Sequence, residues 1–486
     1  MHPIRTHARH LGAWLFLAAA ALLAGCASTT APLNERLAQA RPTEGYREAL
    51  AHRAQAREGL MVSMSFSGGG TRAAALAYGV LQELAATHVP VPEGGRVRMI
   101  DVVDSITAVS GGSYPAAYYG LFGDRMFIDF EERFLNRDVQ GDIIRAILLP
   151  HNLFRMTSPY FGRTSVVAEY LDELLFEGKT FADMARAAED GSRPFIFINA
   201  SDMARTSRFE FTQDMFDVLC ADLSRYPVAR AVASSSAVPV VFSPITLANH
   251  SGSCGYQLPE WVSRAAQRSE ASRRRFTIAN DILSYTDPRR RYVHLLDGGL
   301  SDNLGVRAFL DRLDLAGGQN PSMHDMRQTG GLRRVVHIVV NAQTRPQMPQ
   351  LDASPVVPTL SAMAFAIGNV TDRFTVETLE HLDSSIHKGA QLLVQRLREL
   401  NLPNPDDVDA WVIDVSFDGI ADDEERGYLE SLPTSFRLPA DDVRRLRAAG
   451  ARVLRDSPGF QRLQREVADR LPQRLGTRGH DPATAP

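Results

Sequence analysis

Three short segments of this sequence set a reactive or charge-stabilising group among glycines: Ser67-Gly68-Gly69-Gly70-Thr71-Arg72, Ala108-Val109-Ser110-Gly111-Gly112 and Asp297-Gly298-Gly299. In the first, glycines let the backbone approach a ligand, and free N–H groups at a helix start attract negative charge. Such a loop can cradle a phosphate, form an oxyanion hole or make a tight turn. No Gly-Lys-Ser/Thr follows it and its glycines lack the dinucleotide-binding spacing, which excludes those two phosphate sites. In the second, a serine flanked by small residues between a strand and a helix has the pattern of a nucleophile elbow, with Ala108 in place of the usual first glycine. In the third, an aspartate ends an apolar run, where the active sites of α/β proteins collect.

The elements that would hold these groups follow from hydrophobic periodicity. Residues 61–66 alternate apolar residues with serine before the glycine loop, and 71–86 continue with helical spacing. A second strand, loop and helix unit runs through 99–109 and 114–121, with Pro115 in the first helical turn, where it is tolerated. Residues 195–199, 292–296, 335–340 and 411–417 read as further buried strands. Short apolar runs separated by helical stretches predict an α/β fold, a mostly parallel central sheet with helices on both faces. All three motifs would then share one edge of one parallel sheet.

Taken together and in this order, Gly68-Gly69-Gly70-Thr71-Arg72, Ser110 in its elbow and Asp297-Gly298-Gly299 resemble the patatin-like phospholipases. The resemblance spans 61–342, and 229–244 and 300–306 share it. It implies a Ser-Asp dyad with Ser110 as nucleophile and Asp297 as general base. Gly68, Gly69 and Gly70 would supply oxyanion-hole N–H groups, and Arg72, Gly112, Gly298 and Gly299 would support them. Ala73 and Ala108 depart from the family pattern. The chemistry expected is cleavage of phospholipid or lysophospholipid esters through an acyl-enzyme. Two other readings stay open: an acyltransferase using the same acyl-enzyme, and a membrane lipoprotein that keeps the fold as a non-catalytic scaffold.

A Ser-His-Asp triad is the competing arrangement, and the order Ser, Asp, His would require His324, His337, His381, His387 or His480. His337 lies in an apolar run and reads as a core histidine. His294 precedes Asp297 by three positions and would point to the opposite face of its strand. Acids and histidines show no close ligand spacing, so no metal site and no cofactor are expected.

The start of the chain reads as an address. Residues 1–10 carry Arg5 and Arg9 without an acid, and 11–24 contain nothing more polar than glycine. Fourteen helical residues reach about 21 Å, short of the ~30 Å hydrocarbon core, as in a signal peptide. Leu23-Ala24-Gly25-Cys26 resembles the bacterial lipobox, which implies lipidation of Cys26 and anchoring by acyl chains. The segment after Cys26 begins Ala27-Ser28 without aspartate, which points to a periplasm-facing membrane, the outer one by preference. Export permits a Cys220–Cys254 disulfide, the alternative being two reduced, buried cysteines.

Lys+Arg total 53 against 57 Asp+Glu, a formal charge of −4. Removing residues 1–25 takes away only Arg5 and Arg9 and leaves −6. Such a balance argues against a nucleic-acid partner. It also puts membrane contact on acyl chains and apolar surface, not on a basic patch. The organisation expected is a signal peptide over 1–25, a tether and short helix over 26–58, and a catalytic domain over 59–420. A helical extension over 421–476 and a frayed tail over 477–486 follow. Residues 142–156 are bulky and apolar, and read as a core helix, with a lid or membrane-facing helix as the alternative.

Overall fold

The computed structural model describes residues 32–55, 59–91, 95–189, 191–267, 273–316, 332–344 and 359–470. Cys26, His324, His480 and the signal-like segment lie outside them. The central sheet has eight strands: β1 (Leu60–Phe66), β2 (Ser105–Val109), β3 (Phe195–Asp202), β4 (Ser207–Glu210), β5 (Ile245–Ala248), β6 (Tyr292–Leu296), β7 (Arg334–Asn341) and β8 (Asp409–Ser416). Their order is β8-β7-β1-β2-β3-β6-β5, with β4 also on β3. The five strands from β8 to β3 are mutually parallel. β6 runs antiparallel to both β3 and β5, and β4 antiparallel to β3.

Every residue of β1, β2, β3 and β7 is buried, so both faces of the sheet are covered. Alternation along β7 sorts the two layers: Val336, Ile338 and Val340 enter one apolar cluster, Val335 and Val339 the other. The first cluster includes helices α2 (Gly70–Ala86), α3 (Ser113–Phe122) and α10 (Ala440–Asp456). The second is built against α8 (Arg307–Ala316) and α9 (Thr359–Glu399). Between α3 and β3 come α4 (Val139–Leu148), α5 (Pro150–Arg155) and α6 (Arg163–Leu171), and α7 (Val228–Ser235) follows β4.

Three expectations change here. Residues 34–47, read as part of a tether, pack on the domain. Glu35–Arg36 pairs with Ala221–Asp222, and the Tyr46 hydroxyl both donates to Ile196 O and accepts from Ile196 N, at 2.9 and 2.8 Å. Arg47 is buried between Asp214 and Asp217. These partners are far along the chain, so local composition hides them. Strand β6 is not buried throughout: Tyr292 and His294 are exposed, because it lies near the sheet's outer margin. Residues 142–156 do not form a core helix: on α4 only Val139 and Ile143 are buried. The cysteines, by contrast, form a disulfide, Cys220–Cys254, beside the docked N-terminal segment, where Leu37 N–H donates to Cys220 O and Ala40 N–H to Cys254 O.

Candidate active site

Strand β2 delivers Ser110 at its C-terminal end, and the chain turns at once through Gly111 and Gly112 into α3. Ser110 has φ 48°, a conformation that L-residues adopt at a cost of order 1–3 kcal/mol unless the surroundings hold them. The surroundings do hold it. Ser110 N–H donates to Ser235 Oγ at 2.8 Å, Ser235 Oγ donates to Asn199 O at 2.6 Å, and Ser113 Oγ donates to Ser110 O at 2.6 Å. A Cβ on Gly111 would overlap the Gly70 carbonyl and sit 2.5 Å from Gly70 N. One on Gly112 would lie 2.7 Å from Ser67 O, so the elbow and the glycine loop are packed backbone to backbone.

Asp297 reaches the same edge by a different route from the one expected. β3 overshoots β2: Val109 pairs with Asn199, yet β3 continues to Asp202. β6 pairs antiparallel with that overhang, Leu296 opposite Ser201, and its C-terminal end returns to the level of Ser110. Asp297 N–H donates to Ala237 O at 2.9 Å and Gly298 N–H to Ser235 O at 3.0 Å, which ties the turn to the end of α7.

The two side chains meet. Ser110 Oγ donates to Asp297 Oδ2 at 3.0 Å, and the other carboxylate oxygen accepts from Gly299 N–H at 2.8 Å. Each residue is buried and keeps 7% exposure. Burial pushes the Asp297 carboxyl up from 3.8 to about 6, against the Gly299 N–H and the Ser110 hydroxyl, which favour its charged form. A carboxylate with a pKa near 6 is a stronger base than an exposed one and is still ionised at neutral pH.

In the glycine loop, Gly68 N–H is occupied by Asn303 O at 2.9 Å, which removes it from the expected donor set. Gly69 and Gly70, at φ 139° and 60°, have no partner for their N–H groups among the described residues. Gly70 opens α2, so its amide belongs to the positive end of the helix. Thr71 N–H is taken by Ser435 O at 2.8 Å. Arg72 is buried; it donates to Ala342 O at 2.9 Å, to Leu432 O and to Thr434 Oγ1 at 3.1 Å, and so pins the loop to the strand end of β7 and to residues 432–435.

The candidate histidines among the described residues are elsewhere. His337 is buried between Ser63 Oγ at 2.7 Å and Ser65 Oγ at 3.2 Å, stacked on Phe309, and burial pushes its pKa down to about 3. His381 and His387 are exposed on α9, and His294 is exposed beside Thr246. Sequence reasoning missed Asn303, Ser235 and Ser435. The first two fall in 300–306 and 229–244, the flanking stretches that share the family resemblance; nothing local marks Ser435.

The patatin-like phospholipase model matches residues 64–310, more than half of the chain and all three motifs. The chain belongs to the patatin-like phospholipase family. A solved structure, human GIVD cytosolic phospholipase A2, is similar at 15% identity and a TM-score of 0.32, over 60% of this chain. The similarity spans 48% of that protein, about half its length. No curated protein matches the chain. Residues 432–435, which hold the Arg72 and Thr71 end of the glycine loop, lie beyond the region of the patatin match.

Proposed function

We propose that this protein is a membrane-anchored serine acyl hydrolase that cleaves carboxylic esters of phospholipids or lysophospholipids. The observation that carries the reading is the 3.0 Å hydrogen bond from Ser110, at a strained elbow, to the buried Asp297. Asp297 Oδ2 takes the Ser110 proton as Oγ attacks the ester carbonyl. Gly69 and Gly70 N–H groups hold the oxyanion. Collapse of the tetrahedral adduct breaks the ester C–O bond, and Asp297 returns the proton to the leaving alcohol. Water then attacks the acyl-serine with Asp297 again as base, releasing the fatty acid and restoring Ser110. Donors of this kind contribute about 3–4 kcal/mol each, comparable with what the base contributes.

Cys26 is the proposed site of lipidation, at an exported, periplasm-facing membrane. Mass spectrometry of the products of a mixed phospholipid digest tests the hydrolase reading. Free fatty acid and the matching lysolipid or glycerophosphodiester should form with the parent chain and not with Ser110→Ala. Equal product from both would overturn it. Acyl labelling lost in Cys26→Ser tests the anchor.

A further inference from the structure

We infer that residues 139–163 and the loop before β5 form one apolar face that docks on the lipid surface beside the active site. Ile144, Leu148, Leu149 and Leu153 are 45–62% exposed, and Val240 and Val241 are 73% and 54% exposed. Six large apolar side chains in water on two neighbouring segments are more than scattered surface residues. The segments are joined. The 139–163 excursion leaves the body where Gln140 N–H donates to Phe436 O at 3.2 Å, next to Ser435 at the glycine loop. It returns where Arg163 donates to Val240 O at 3.0 Å and Thr164 donates to Ser243. Both ends are thus at the catalytic edge. Ala237, just before the valines, accepts the Asp297 N–H, so the loop continues directly from the dyad.

Several charges of the excursion are paired. Asp142 pairs with Arg137 and Arg145 and accepts from Tyr170, and Arg155 pairs with Glu169 of α6. Arg145, His151 and Arg163 stay exposed around the apolar side chains, as a polar rim. Val240 holds φ 73°, a conformation that a β-branched residue adopts only when its surroundings hold it there, and it is the most exposed of the six.

The N-terminal segment points to a bilayer as the occupant. Asn34 is fixed on Ala248 of β5 by two hydrogen bonds of 2.8 Å, and Ala248 pairs with Tyr292 at the far end of β6. Tyr292 lies five residues before Asp297, about 17 Å outward from the catalytic level at the rise of a strand. Eight residues separate Asn34 from Cys26, a span of at most about 28 Å. An acylated Cys26 can therefore reach a membrane on the side toward which the catalytic edge and the apolar face open. This orientation rests on the anchored hydrolase reading above.

The test uses the full chain with Ser110→Ala, so that no lipid is consumed and the result stands whether or not hydrolysis is established. The chain is reconstituted in phosphatidylcholine vesicles with brominated acyl chains. Leu149→Trp and Val241→Trp report on the face. Ile128→Trp is the control: Ile128 is 81% exposed beyond α3, which leads to the opposite sheet edge, where Asp124 pairs with Arg98 ahead of β2. Tryptophan keeps the surface apolar, so folding is preserved. The added emission at 149 and 241 should be quenched at least about twofold more than at 128, as for side chains 5–10 Å into the interface. Equal quenching at all three positions overturns the proposal. So does emission shielded from both bromine and aqueous iodide in a chain that sediments as a dimer, which would assign the face to a second copy.

Discussion

The Ser110 hydroxyl donates to Asp297 Oδ2 across 3.0 Å although 187 residues separate the two in sequence. No histidine stands between them, and the carboxylate is fixed from its other side by Gly299 N–H. In the proposed mechanism the base therefore meets the nucleophile directly, and its environment sets the reactivity of both.

Ser110→Ala and Asp297→Asn should each lower kcat for ester hydrolysis by at least about a thousandfold, by analogy with nucleophile and base removal in serine hydrolases. Steady-state kinetics with a soluble ester check this, with circular dichroism to show that the fold is kept. Asparagine can still accept from Gly299 N–H, so the loss would reflect the missing base.

The raised Asp297 pKa makes two linked predictions. The rate constant kcat/KM should climb with pH and level off above about 6, because only the ionised carboxylate accepts the proton. Stability should move the other way. Below 3.8 both folded and unfolded chains hold the proton; as pH rises through 3.8 toward 6 the unfolded chain releases it first, and stability falls. Asp297→Asn should therefore unfold at higher denaturant than the parent at pH 8, with the difference shrinking at pH 4.

Gly111→Ala should disable the site without touching a reacting atom. Its methyl group would overlap the Gly70 carbonyl and displace the oxyanion loop. A loss of about a hundredfold in kcat, with KM changed much less, is expected for one misplaced donor. Kinetics of the folded variant decide it.

Much of this arrangement is legible in the sequence, because strand, glycine turn and helix are local patterns that the elbow and the loop share. Asp297 was readable as a strand-end acid, yet its strand is antiparallel, since pairing with the β3 overhang is set by partners distant in sequence. The occupation of Gly68 by Asn303, and of Thr71 by Ser435, is equally non-local. The same holds for the N-terminal segment: Tyr46 and Arg47 look like residues of a polar linker until Ile196 and Asp217 are beside them.

The disulfide should matter for stability. Cys220 and Cys254 close a loop of 34 residues, a constraint on the unfolded chain worth about 3–4 kcal/mol in the chain-entropy model. Dithiothreitol, or the pair Cys220→Ser and Cys254→Ser, should lower the denaturant midpoint.

His337 should make the protein acid-sensitive. Above 6.5 it is neutral in both states; as pH falls from 6.5 toward about 3 the unfolded chain takes the proton first, and stability drops by up to about 1.4 kcal/mol per pH unit. His337→Gln should flatten the pH dependence of unfolding in that window.

The central claim is that Ser110 is a nucleophile activated by Asp297. A fluorophosphonate probe followed by peptide mass spectrometry tests it most directly. The adduct should sit on Ser110 in the parent chain and form at least about a hundredfold more slowly in Asp297→Asn. An adduct on another residue, or equal labelling rates in the two chains, would contradict the account.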